Sequence, residues 1–575
     1  MVRSMFVVVM VTVTLLTACA APVSPSNTGG SADSTAPAVQ PAQPRSITMG
    51  VRYELISGQS KALNNSSSDI QKRLFNASLA MMDAKGAIHP YLAESLPQLN
   101  ANSWQVFPDG RMETTYRLRP DLTWHDGHAL TADDFVFAHS VYTSKAGLSI
   151  FTSIPQDRMT EVVAPDPRTV VIRWRSLYPD AAALKFDDFD PLPRHILGPI
   201  ADLQDGDALA GLPFWTREYV SSGPYKLARW EPGAFVEVAA FDGHALGRPR
   251  IDRITVRIIS DENTMLTNVL SGNVDIALDN SLRFEHAQVL KREWGPANKG
   301  TVLLQAIQAR TGGFQNRADI VTPRALLDLR VRRALTHAID KQGMIDGLFE
   351  GEPIPVSETI LPPSMPYYAD LNRSIAKYPF DLRQADQIMT EAGFRKGADG
   401  IWTGGDTGER MAFAIMSGSG TRNERERAVI ADGWRRAGFD VTETQLSASQ
   451  TTDPQIRATA SGFLTSGATG AEASLARYTT SQIGSLANRW RGQNYLGWSN
   501  SEYDRLYEQF NSTLDRNERN QQVIQMMRLL TQDVGGLVFY HDPGVTAHTA
   551  ALSGPQVGAP DHTLAWNVYE WELRP

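Results

Sequence analysis

Two stretches of this chain close on the same tripeptide, Ala-Gly-Phe, and their surroundings limit the fold class more than any other feature. Residues 381–392 and 423–437 read as helices, with Gly393 and Gly438 placed to take the left-handed conformation that ends a helix. The second runs directly into 440–445 (DVTETQ), where apolar and polar residues alternate as in a strand. Helix, glycine stop and strand in succession are how an α/β layer is written. The same alternation predicts strands at 47–54, 112–119, 169–174 and 254–259. Thr131-Ala132-Asp133-Asp134 ahead of Phe135 predicts a capped helix start, and a further helix runs from near Asp261 to Gly272. No repeat of 20–50 residues is present, so the fold class is mixed α/β.

The chain has 575 residues, 42% hydrophobic and 21% charged. The body after residue 46 is too long for one core, so at least two folded units are expected. A net charge of −8 argues against a nucleic-acid partner, which calls for a basic face.

The amino terminus has a different character. Arg3 is followed by a run from Met5 to Leu16 that is apolar but for two threonines, then by Leu16-Thr17-Ala18-Cys19. This order reads as an export signal, too short for a span of about 20 residues. The tetrapeptide resembles a bacterial lipobox, which implies lipidation of Cys19 and anchoring outside the cytoplasm, in the periplasm or on the outer face of the cell membrane. Cys19 is the only cysteine, so no intrachain disulfide forms. Residues 20–45 are mostly Pro, Ala, Ser, Thr and Gly and are expected to be a disordered tether, spanning ~25–30 Å as a flexible coil.

Several separated stretches carry a resemblance. Residues 108–137 (PDGRMETTYRLRPDLTWHDGHALTADDFVF), 222–233, 261–277, 328–340, 378–402 and 494–540 are similar, in order, to the bacterial extracellular solute-binding proteins of family 5, the large binding proteins of peptide and nickel ABC importers. The resemblance implies a two-lobed clamp of the type II (cluster C) periplasmic-binding-protein class. The first lobe would comprise 46–90, 220–303 and 533–575, with a subdomain inserted at 91–219. The second lobe would be 304–532, with crossings at 302–306 and 536–540. It implies capture of a short peptide or similar small solute, delivery to an ABC permease and ATPase complex, a monomeric body, and neither cofactor nor catalysis.

The cleft, placed as in the family, would be lined by Tyr53 and Glu54, by Phe463, Leu464, Thr465, Ser466 and Gly467 in a loop, and by Trp490, Trp498 and Tyr540. Peptide-binding members carry an aspartate for the peptide amine in a second-lobe loop. The matching stretch here, 462–476, has no aspartate, and Glu472 is its only acid. An aromatic at such a position is more often core than ligand contact, and Glu472 reads equally well as a solvated residue at a helix start. His125-Asp126-Gly127-His128 has the look of a metal pair without a third ligand nearby, and His541, Asp542 and His548 are similarly unsupported. An exported hydrolase is the reading from another class. Against it, Ser417-Gly418-Ser419-Gly420 has the wrong spacing for a nucleophile elbow, and no metalloprotease or phosphate-loop motif occurs. A ligand-sensing subunit is the third reading.

Overall fold

The computed structural model describes residues 44–59, 61, 69–144, 154–278, 281–558 and 565–574. The signal segment, Cys19 and the tether as far as Gln43 lie outside them.

Ten strands form one sheet: β1 (Ser46–Val51), β2 (Tyr225–Glu231), β3 (Phe235–Ala240), β4 (Arg253–Ile258), β5 (Ile276–Ala277), β6 (Gly300–Phe314), β7 (Ala412–Gly418), β8 (Asp440–Leu446), β9 (Phe463–Thr469) and β10 (Leu537–Thr549). Their order is β8-β7-β9-β6-β10-β5-β1-β4-β3-β2. β1 is parallel to both β4 and β5, and β7 is parallel to both β8 and β9. Parallel strands are covered on both faces, which is why the consecutive residues Met49, Gly50 and Val51 are all buried.

The antiparallel pair β6 and β10 belongs to both ends of this sheet. From Gln308 to Phe314, β6 also pairs with β9, whereas β10 pairs with β5 at Ala547 and His548. Between these halves the register slips, from Ala306 opposite Pro543 to Gln308 opposite Asp542, leaving Ile307 as a bulge. Pro543 has no N–H for the ladder, and Gly544 follows it, so the ribbon is locally weak and bent at this point.

Apolar packing divides in the same way. One cluster gathers Ile47, Met49, Tyr116, Trp124, Trp174 and Val238, another Phe314, Trp434, Phe463 and Tyr540. Strands Trp104–Val106, Met112–Arg117, Thr169–Trp174 and Met159–Asp166 form a separate antiparallel sheet, in that spatial order, against helix Ala132–Thr143. The Trp174 indole N–H donates to Thr114 Oγ1 at 2.8 Å, joining its central strands.

The local expectations fare well. Thr131 and Asp134 form the capping box of helix Ala132–Thr143. Helix Glu262–Leu270 is capped by Asp261. Gly393 and Gly438 take φ of +91° and +95°. The helix expected from 423 begins two residues earlier, as Thr421–Arg436, because Gly420 at φ +110° is its N-cap. The stretch 463–467, expected in a loop, lies in β9. No helix among the described residues is long and apolar enough to cross a membrane.

Candidate functional site

In open α/β sheets a crevice forms outside the carboxyl ends of parallel strands. Here those ends are Tyr53 and Glu54 after β1, residues 418–420 after β7, and residues 470–472 after β9. The β6–β10 crossing lies between the two groups in the strand order.

The crossing carries a buried ionic network that the sequence reading missed. Arg310, on β6, grips the Glu426 carboxylate from Nε at 2.9 Å and Nη2 at 2.6 Å, and Nη2 also donates to Asn423 Oδ1 at 2.5 Å. The Tyr540 hydroxyl donates to Glu426, and the Arg422 guanidinium pairs with Asp542. Arg422 and Glu426 are one turn apart on helix Thr421–Arg436, so both reach the crossing strands from one face. Burial pulls the Arg310 pKa down, and the Glu426 carboxylate more than reverses this, so the net direction is up. Burial pushes the Asp542 carboxyl up, only partly opposed by Arg422 and Arg310. His541 beside it is held down by burial to about 4.

The expected lining residues fall into two groups. Tyr53 is 53% exposed, with the Arg52 guanidinium 5.6 Å from its ring, and the Trp490 ring is half-buried, 5.8 Å from Arg317. The Glu54 carboxylate accepts from the Gly233 N–H at 2.6 Å in the β2–β3 turn. By contrast, Phe463 is fully buried between Phe314 and Trp434, Trp498 packs edge-on against Tyr503, and Tyr540 is fully buried against Phe349. Leu464 and Thr465 are also buried. Ser466 shares a hydrogen bond with Thr311 at 2.9 Å, and the Gly467 carbonyl accepts from Arg477 at 3.1 Å. A Cβ on Gly467 would come within 2.4 Å of the Gln308 amide, the far end of a flexible side chain that would have to move aside. Glu472 accepts from Tyr367 at 2.7 Å and from Arg516 at 2.7 and 3.1 Å.

At 541–548, Asp542 pairs with Arg422, His541 faces Ser357 Oγ at 3.3 Å, and His548 Nδ1 faces the Thr549 carbonyl at 3.0 Å. Ser417 Oγ accepts from Arg427 at 2.6 Å, an arginine that cannot serve as its base. A void of about 40 Å³ beside Thr311 and Ser466 is too small for a solute. A larger cavity of about 470 Å³ is lined by Arg158 and Leu177 on one side and Asp504 and Tyr507 on the other. Arg519 and Asp180 bridge these same two parts of the chain at 3.0 Å.

The sequence held one signal for the missed network, an arginine set among the small residues of 309–313 (ARTGG) on a strand. A charge in such a run is buried only if paired. Its partner, 116 residues away, had no local mark.

Comparison with known proteins agrees with this architecture. The chain is 24% identical over 527 residues to the oligopeptide-binding protein AppA of Bacillus subtilis, covering 89% of this chain and 88% of that one. The oligopeptide-binding protein of Thermus thermophilus, solved with a pentapeptide, superposes with a TM-score of 0.69 at 23% identity over 92% of this chain and 96% of that one. NikZ of Campylobacter jejuni, solved with Ni(L-His), gives 0.69 at 20% identity over 92% and 99%. The mixed α/β fold matches the two-lobed architecture of these binding proteins. The sequence profile of the bacterial extracellular solute-binding proteins, family 5 (middle part), matches residues 88–484, and the chain belongs to that family.

Proposed function

We propose that this chain is the substrate-binding component of an ABC importer, capturing a short peptide or similar small solute between its lobes and delivering it to a permease and ATPase complex. The observation that carries the reading is the β6–β10 ribbon. It is shared by both ends of the sheet and interrupted at Ile307 and Pro543, a two-stranded hinge about which the lobes close. A solute that touches both lobes only when they are closed stabilises that state by its differential affinity, and closure is the signal a membrane partner reads. The slip at Ala306/Gln308 supports a changeover next to 302–306, and Pro543 opposite supports one a few residues beyond 536–540. The lobes otherwise follow 46–90, 220–303 and 533–575 for the first, with 91–219 inserted, and 304–532 for the second.

For the ligand, charge pairing is informative. Glu426, Asp542 and Glu472 each already hold an arginine, so a peptide ammonium would have to displace one. Recognition through backbone groups fits better: β7 pairs with β9 only at Phe463 and Leu464, and leaves the later residues of that strand without a β7 partner. Tyr53, Ser466, Gly467 and Trp490 are the side of the expected lining that reaches such a ligand. Anchoring through Cys19 places the body outside the cytoplasm, at the membrane.

Native mass spectrometry of the gently purified protein, with release and identification of any small molecule carried, tests the reading. Short peptides or one peptide-like solute are expected. A chain that carries nothing, and whose melting point no peptide library raises, would contradict it.

A further inference from the structure

The 125–128 turn showed two histidines and an aspartate without a third ligand in sequence, and the fold supplies one. Trp124 N–H donates to the His128 carbonyl at 2.8 Å, and Gly127 takes φ +92°, so the turn is fixed. His125 points inward, its ring nitrogens against the Gly223 carbonyl at 3.1 Å and the Ser221 N–H at 3.3 Å. Asp126 and His128 point outward, beneath helix Arg194–Ala201. The buried Asp134 carboxylate ties the two pieces together, accepting from the Trp124 indole at 3.3 Å and the Arg194 N–H at 3.2 Å. This tie holds His195 over the turn. Its Nε2 is 2.7 Å from Asp126 Oδ2, and His128 Nδ1 is 3.3 Å from the same oxygen. The two imidazoles are stacked, 4.2 Å between centroids and 23° between planes.

Two imidazole nitrogens and one carboxylate oxygen are thus presented together at an exposed point of the surface. A divalent cation among the three ligand atoms satisfies all of them. Among the described residues this is the one group of three such side chains whose ligand atoms converge, all within 4.8 Å.

We propose that Asp126, His128 and His195 form a site for a divalent first-row transition ion of the zinc type, stapling the 124–128 turn to helix Arg194–Ala201. Two imidazole nitrogens and a carboxylate suit such an ion and not magnesium or calcium, which take oxygen shells. Bonds of about 2.0–2.2 Å in a tetrahedron set ligand atoms about 3.3–3.6 Å apart, so the 2.7 Å Asp126–His195 contact has to open by about 0.6–0.9 Å and the stacked rings have to turn to aim their lone pairs at one ion. His128 is 64% exposed in its side chain and leaves solvent to complete the shell. The ion is independent of the solute reading, because no ligand comes from β6, β10 or the strand ends beside them.

The test is zinc titration by calorimetry of the full-length protein, made without a histidine tag and stripped by chelator. One zinc per chain is expected, with Kd in the micromolar range and a melting point raised by zinc. H128A and H195A should each weaken binding at least tenfold, and H89A, altering another exposed histidine beside an aspartate, should leave it unchanged. H195Q keeps a donor for Asp126 without a metal ligand and should lose zinc as H195A does. Absence of saturable binding, unchanged affinity in H128A and H195A, or zinc retained by H195Q would overturn the proposal and leave a hydrogen-bonded cluster only.

Discussion

Replacing Arg310 with methionine strands the Glu426 carboxylate, whose side chain is 0% exposed, with only the Tyr540 hydroxyl and no cation against it. Removing one member of a buried ion pair costs about 3–5 kcal/mol, most of it the penalty of the charge left behind. If the second lobe melts as a unit of about 230 residues, an unfolding entropy of about 2.1 cal/mol/K per residue gives about 0.5 kcal/mol/K, and the midpoint falls by about 6–10 °C. Glu426→Gln should cost less, because the new amide oxygen still accepts from Arg310 and Asn423 remains a second acceptor. The R310M/E426Q double variant should recover at least about 2 kcal/mol relative to the sum of the singles. Calorimetry at pH 7 on the four proteins closes the cycle. A midpoint shift under about 2 °C for R310M, or strict additivity in the double variant, would refute the claim that this pair is dry and coupled.

Acid should destabilise the fold through its buried neutral histidines. Burial holds His125 down to about 3 and His244 and His541 down to about 4, below an unfolded value near 6.5. Between those values the unfolded chain binds more protons, so stability rises with pH through that window and is lost on acidification, by up to about 3 kcal/mol for His541. Melting points from pH 7 to 4.5 should fall less steeply for H541Q than for the parent; equal slopes would refute the assignment. Gly433→Ala should cost about 1–3 kcal/mol in chemical denaturation, because its Cβ would lie 2.1 Å from the Ala338 carbonyl oxygen; a change below about 0.5 kcal/mol would show that the helices part freely. Glu472→Gln should leave peptide affinity within about threefold and stability within about 1 kcal/mol, since Arg516 is half exposed; a tenfold loss by calorimetry would restore Glu472 as an amine anchor. Tyr53→Ala should lower solute affinity about tenfold with the melting point unchanged, and an unchanged affinity would remove that residue from the cleft.

The amino-acid sequence by itself determined what is settled within a few residues. The Thr131–Asp134 box, the Asp261 cap and the glycine stops at 393 and 438 act on neighbouring N–H and C=O groups. Alternation in 169–174 marks a face whatever it packs against. The family's ordered segments fixed the two-lobed class for the same reason, since much of that signature consists of turns and caps. Only the tertiary structure decided which charges meet. Arg310 finds Glu426 across 116 residues, and Asp126 finds His195 across 69, and neither pairing leaves a periodicity or a spacing in the chain. It also decided that Phe463, Trp498 and Tyr540 are packing residues, because an aromatic on a strand or loop looks the same in sequence whether its ring faces a cleft or a core. The bulge in the β6–β10 ribbon is of this kind too: Ile307 drops out of register opposite Asp542 and Pro543, on a strand 13 residues long near the other end of the chain.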